Sequence, residues 1–158
     1  MKRARWMISI VVFGLFVSGV TVWPAIPGLT WLVDLLWGDA EAGGVIHAFL
    51  LRSIEGLEYV QAHYAFLFYA HDWLAFAHIC LAILFAGTLK DPVRNKWVIQ
   101  CGLIMCALIP VLAAICIPLR GIPFAWFFVD FAFAPAAALP LWIALKDINQ
   151  AERQQRER

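Results

Sequence analysis

Residues 97–119 read WVIQCGLIMCALIPVLAAICIPL, an apolar run long enough for an α-helix to cross about 30 Å of hydrocarbon. Three more runs of similar length and character surround it, at residues 6–23, 73–89 and 124–145. Together they take up more than half of the 158-residue chain. The composition agrees: 63 % of residues are hydrophobic and 15 % charged, with eight Trp and twelve Phe. A soluble domain would carry about a quarter charged residues. The expected fold is all-α: a polytopic four-helix transmembrane bundle forming one membrane domain. The bilayer is its first partner. A net charge of +1 says nothing by itself about nucleic-acid or acidic partners, and no nucleic-acid partner is expected.

The basic residues are spread unevenly. Lys2, Arg3 and Arg5 precede the first run, and Lys90, Arg94 and Lys96 fill the turn between the second and third. Lys146, Arg153, Arg156 and Arg158 follow the fourth, and only Arg52 and Arg120 fall on the other side. Ten of the twelve thus share one face, which the positive-inside rule makes cytoplasmic. Both termini are then expected inside. Trp6, Trp23, Trp73, Trp97 and Trp142 lie near the ends of the runs, where amphipathic rings suit the headgroup region. The N-terminus imitates a signal peptide, but its apolar run is long. Trp23-Pro24-Ala25-Ile26-Pro27 is also a poor cleavage context, so an uncleaved first helix is expected.

Small residues mark where helices approach one another in a bilayer. On the first span Gly14, Ser18 and Thr21 form such a stripe, and Pro24 and Pro27 are expected to end the helix. Residues 25–71 are too apolar for a free loop. After Gly43-Gly44 the pattern puts Ile46, Phe49, Leu50, Ile54, Leu57 and Val60 on one side of a helix. His47, Arg52, Glu55, Glu58 and Gln61 supply much of the other. One or two amphipathic helices are expected here, lying on the extracytoplasmic surface as a cap over the bundle. On the second span Asp72, Ala75, His78, Ala82 and Ala86 share a face, while Leu74, Leu81, Leu84 and Phe85 lie elsewhere.

The short turn at residues 90–96 predicts that spans two and three are antiparallel neighbours. Asp91-Pro92 reads as an N-cap with proline at the first helical position. Gly102, Cys106, Ala113, Cys116 and Arg120 follow one side of the third span, and Pro110 is expected to bend it. Arg120-Gly121-Ile122-Pro123 is a short link that packs spans three and four side by side. Asp130 shares a side of the fourth span with Ala134, Ala137 and Leu141, with kinks expected at Pro135 and Pro140. The tail, residues 147–158, is polar and expected to be cytoplasmic. Cys80, Cys101, Cys106 and Cys116 all lie within spans and read as small packing residues, not as a disulfide or metal framework.

Asp130 and His78 are the most informative polar groups. Asp130 is seven residues past Pro123, about 10 Å below the outer boundary, and His78 is six past Asp72, about 9 Å below it. Ionisable residues within a span are expensive and normally face a partner or a cavity. A cluster of Asp130, His78, Arg120 and Asp72 near the outer leaflet is therefore the candidate ligand- or proton-handling site. A structural clasp at the bundle end is its plainer explanation.

Haem asks for histidines from two facing elements. His71 and His78 are the candidates in the second span, but they are seven apart on one helix face and cannot clamp an iron from both sides. The other spans contain no His, so His47 or His63 would have to fold back. No cofactor is predicted, and no spacing matches a metal motif. Phosphate-loop, nucleophile-elbow and zinc-protease motifs are also missing, which leans against an enzyme.

The segments Asp72-Trp73-Leu74-Ala75-Phe76-Ala77-His78-Ile79, Lys90-Asp91-Pro92-Val93-Arg94-Asn95-Lys96-Trp97-Val98 and Arg120-Gly121-Ile122-Pro123-Phe124, with Trp126 and Asp130, resemble a family of small bacterial four-span integral membrane proteins. The resemblance covers about residues 60–145. It implies a bacterial inner-membrane location and the same four-helix plan, and it carries no activity, cofactor or site residue. The expected function is a non-enzymatic bundle that binds a protein partner, a second copy or lipid. A small transporter or proton-coupled carrier using Asp130 and His78 is the alternative, and a haem-bearing electron-transfer subunit ranks third.

Overall fold

The computed structural model of the chain describes residues 1–38 and 43–157. Positions 39–42 of the expected cap, and Arg158 of the clustered basic residues, lie outside them. The described chain is built of helices: α1 (Lys2–Val22), α2 (Ala25–Trp37), α3 (Gly44–Tyr64), a 3-10 turn (Ala65–Phe68), α4 (Tyr69–Thr88), α5 (Lys96–Leu119) and α6 (Trp126–Arg156). Four helical stretches are long and apolar enough to cross a membrane: α1, the run Gly44–Thr88 that ends in α4, α5, and α6. Phe13, Ile83, Leu112 and Phe133 are each more than half exposed on the outside of these helices. So much apolar surface suits acyl chains and not water.

With no water to expel, the bundle is held by close packing. Helix α1 lies against both α4 and α6, and α5 lies against α6. Ala4, Ile8 and Val11 of α1 meet Leu141, Ala144 and Ile148 of α6, with Phe85, Ile99 and Cys106 completing the buried cluster. The short turn between α4 and α5 predicts neighbours. The two do meet, but only lightly, because each has its broad contact elsewhere. Close contact between α5 and α6 is as expected from their short link.

The expected small stripe on α1 is not where the helices touch. Gly14 and Thr21 are exposed, and a Cβ at Gly14 would meet nothing within 4 Å. Close approach falls at Gly19, whose Cβ would stand 2.9 Å from Ile79 Cγ1 and 3.0 Å from the Ala75 carbonyl of α4. On α4 the expected face is largely correct: Ala75 and Ala82 are buried, His78 and Ala86 half-buried. Phe85 departs from expectation. It is buried, because Gly102 of α5 has no side chain and leaves room for the ring.

Helix ends explain the links. Gly121 has φ 63°, with its N–H bonded to the Pro118 carbonyl at 3.3 Å and the Ile122 N–H bonded to the Ile117 carbonyl at 3.0 Å. These are the paired bonds of a left-handed glycine stop, which closes α5 in one residue. Asp91 does not cap α5. Its carboxylate accepts the Arg94 N–H at 3.1 Å and its carbonyl accepts the Asn95 N–H at 3.1 Å, so it closes a single turn before α5 begins at Lys96. Pro24 falls between α1 and α2, whereas Pro27 sits in the first turn of α2, where a missing N–H costs nothing. Helices α5 and α6 continue through their internal prolines. The expected tail is an extension of α6, whose 31 residues make about 46 Å, more than the hydrocarbon needs.

Helix α3 shows the predicted sidedness. Leu50 is buried and Ile46, Phe49, Ile54, Leu57 and Val60 are half-buried, while Arg52, Glu55, Glu58 and Gln61 are on the more open side. His47 differs: it is buried and stacks on Trp37 of α2 at 5.1 Å. Near its start α3 touches α6 through Phe49 and Trp126, 5.1 Å between ring centroids. At its far end it passes through the 3-10 turn into α4.

Candidate functional site

The two ends of the bundle hold their polar groups differently. At the end carrying both termini, Arg3 of α1 grips Asp147 of α6 through parallel bonds, Nε donating to Oδ2 at 2.9 Å and Nη2 to Oδ1. Lys96 of α5 donates to Glu152 of α6 at 2.9 Å, both side chains partly buried. Lys146 stands 3.4 Å over the Trp142 ring. Arg–carboxylate forks of this kind add geometric specificity to charge attraction. None of these ties is predicted from the sequence. The acids are visible there, but nothing local says which helix each one meets.

The sequence-selected residues lie toward the opposite end, the mouth. Their depth follows from the packing. His78 lies beside Gly19, and Gly19 is sixteen residues along α1 from Arg3. Asp130 is seventeen residues up α6 from Asp147, the partner of Arg3. At 1.5 Å per residue the two stand about 24 and 26 Å above the same ion pair. They therefore share a level. They share no hydrogen bond or ion pair among the described residues: α4 and α6 each pack broadly on α1, and the side chains they bring together, Phe85 and Leu141, lie deeper, at Gly102.

Each residue has its own surroundings. The His78 ring donates from Nδ1 to the Leu74 carbonyl at 2.8 Å, since a carbonyl can only accept. Asp130 is half-buried on the stripe it shares with buried Ala134 and Leu141, as expected. Among the described residues its carboxylate has no hydrogen bond or ion pair. Arg120 is the exposed C-cap of α5. Asp72 is exposed in the first turn of α4, where the helix dipole favours an acid. It lines a crevice of 230 Å³ with Trp23, Tyr69, Trp73 and Phe76. Among the described residues no hydrogen bond or ion pair joins any two of His78, Asp130, Arg120 and Asp72.

The mouth also holds a larger hollow that the sequence does not announce. Trp23, Pro24, Ala25, Ile26 and Pro27 line it from the α1–α2 link, and Gln61, Ala65 and Phe68 line it from α3 and the 3-10 turn, around 370 Å³. The remaining histidines are engaged with rings. His63 stacks on Tyr59 at 4.2 Å and His71 on Phe68 at 5.3 Å. Among the described residues no three His, Cys, Asp or Glu side chains converge as metal ligands, and the four cysteines are free thiols.

These features define a class: a chain whose described residues are helical, with four helices able to cross a membrane, tied by ion pairs at one end and, among the described residues, without them at the other. Compared with family models, curated proteins and solved structures, the chain finds no match.

Proposed function

We propose that this chain is a non-enzymatic integral membrane protein whose mouth receives a binding partner, a protein or lipid. The observation that carries the reading is Asp130. A half-buried carboxylate in the second turn of a membrane-length helix, with no internal partner among the described residues, calls for a cation or donor from another molecule. Arg120, exposed at the same end and without an ion pair among the described residues, offers the complementary charge. The proton-coupled carrier is less well supported, because no hydrogen bond joins His78 to Asp130 among the described residues and the broad contacts of α4 and α6 are both with α1.

In this reading α2 and α3 form an extracytoplasmic cap. Its support is the path of α3 from Trp126 at the start of α6 to the start of α4, with its charges outward. The bacterial inner membrane and cytoplasmic termini belong to the same proposal, supported by the basic residues gathered at one end and by the motif resemblance. The test is extraction with native lipid, comparing wild type with Asp130→Asn. A companion at fixed stoichiometry, lost in a variant that melts at the wild-type temperature, is the expected result. Loss of thermal stability with the companion retained makes Asp130 a structural group. Loss of proton flux in vesicles, with no companion in either form, makes the protein a carrier.

A further inference from the structure

Helices α4 and α5 diverge enough to leave a crevice of 210 Å³ along their seam, on a different part of the molecule from the mouth. Phe85 and Gly102 form its buried floor, and Leu84, Trp97 and Met105 form an exposed rim. Every lining side chain is apolar except the Cys101 thiol and the indole N–H of Trp97. From Trp97 to Met105 the crevice follows about 12 Å of helix. One end of it meets the turn that joins the two helices.

That turn is cationic. Lys90 and Arg94 keep part of their surface open, and among the described residues neither side chain has an ion pair. Arg5 of α1 also reaches the turn, its Nη2 donating to the Lys90 carbonyl at 3.4 Å. Of the nearby acids Glu152 holds Lys96, while Asp91, exposed in the turn, accepts the Arg94 N–H and sets one negative charge against Lys90 and Arg94, which leaves them in excess. Trp97, the first aromatic of α5, sits between the charges and the apolar wall with its ring mostly exposed. An apolar slot flanked by an interfacial Trp and ending at unpaired cations matches a molecule with a hydrocarbon tail and an anionic head.

We propose that the α4–α5 crevice is a binding site for an anionic phospholipid. One acyl chain lies against Phe85 and Gly102, and the phosphate is held by Lys90 and Arg94. The site does not depend on the Asp130 reading, since its residues lie elsewhere and its ligand is held by other groups.

The test is native mass spectrometry of the full chain in detergent. Phosphatidylglycerol and phosphatidylcholine with identical acyl chains are titrated against it. Wild type is expected to retain the anionic lipid about ten-fold more tightly. The double variant Lys90→Gln/Arg94→Gln removes that preference. Lys2→Gln/Arg153→Gln, which removes the same charge at the same end of the bundle from residues that do not line the crevice, keeps it. Met105→Trp, which fills the crevice from its exposed rim, weakens retention of both lipids. Equal retention of the two lipids by wild type would overturn the site. So would equal loss in the two charge variants, or unchanged retention in Met105→Trp.

Discussion

Gly102 is the residue on which the seam of three helices turns. A Cβ there would lie 2.6 Å from Phe85 Cζ and 2.9 Å from Leu141 Cδ1, so α4, α5 and α6 all press on the same missing side chain. Gly102→Ala is expected to destabilise the bundle by about 1–3 kcal/mol, the usual cost of overpacking. Phe85→Leu in the same molecule should recover part of that loss, because the two changes share one contact. Thermal unfolding of the four forms in lipid checks this, and simple additivity would show that the ring does not use that space. The sequence made Gly102 legible as a packing residue on α5. It did not make Phe85 legible as its occupant, since a large ring beside small residues reads as lipid-facing until the opposing hole is known.

At the scale of the element, the stops are more informative than the spans. Gly121 holds φ 63° in the glycine stop that lets α5 turn into α6 within a few residues. Gly121→Ala is expected to cost about 1–2 kcal/mol from the left-handed conformation alone, since a Cβ there would meet no neighbour within 4 Å. Wild-type and variant melting temperatures in the same detergent give the comparison, and an unchanged value would mean the stop is not held in that conformation. Helix lengths come directly from apolar runs. The start of α5 does not. Asp91-Pro92 carries a strong start signal, and in the fold it closes its own turn, with α5 beginning four residues after Pro92. Local chemistry defines that a turn begins there, whereas the point at which the long helix starts depends on where α5 can rest against α6.

For the whole molecule, the arrangement of α3 across the mouth is the feature with most consequence for access. Phe49 and Trp126 lie 5.1 Å apart between ring centroids, although 77 positions separate them in the chain. In a background with its native cysteines replaced, Phe49→Cys/Trp126→Cys is expected to be bridged by a bis-maleimide with a reducible spacer long enough to replace the two rings. Gel mobility before and after reduction reads it. Failure to cross-link, in protein that still melts cooperatively, would place α3 away from α6 and remove the cap from the proposed function. The candidate site is legible in part for a related reason. Depth along a helix can be counted from a sequence, so His78 and Asp130 can be assigned to one level before any contact is known. Which helix stands between them cannot be counted, and α1 packs on both α4 and α6.

By itself the sequence determined the solvent and the secondary structure. Four apolar runs demand lipid, and runs of that length satisfy their backbone groups as helices. It also determined the gathering of basic residues at the end that carries the termini. Only the tertiary structure decided the order of helices around the bundle, the ion pairs from α6 to α1 and α5, and the crevice beside a short turn. The physical reason is the absence of a hydrophobic drive between helices in lipid. Their partners are then chosen by shape, through single positions such as Gly19 and Gly102, and shape is a property of two surfaces that no single helix carries in its pattern.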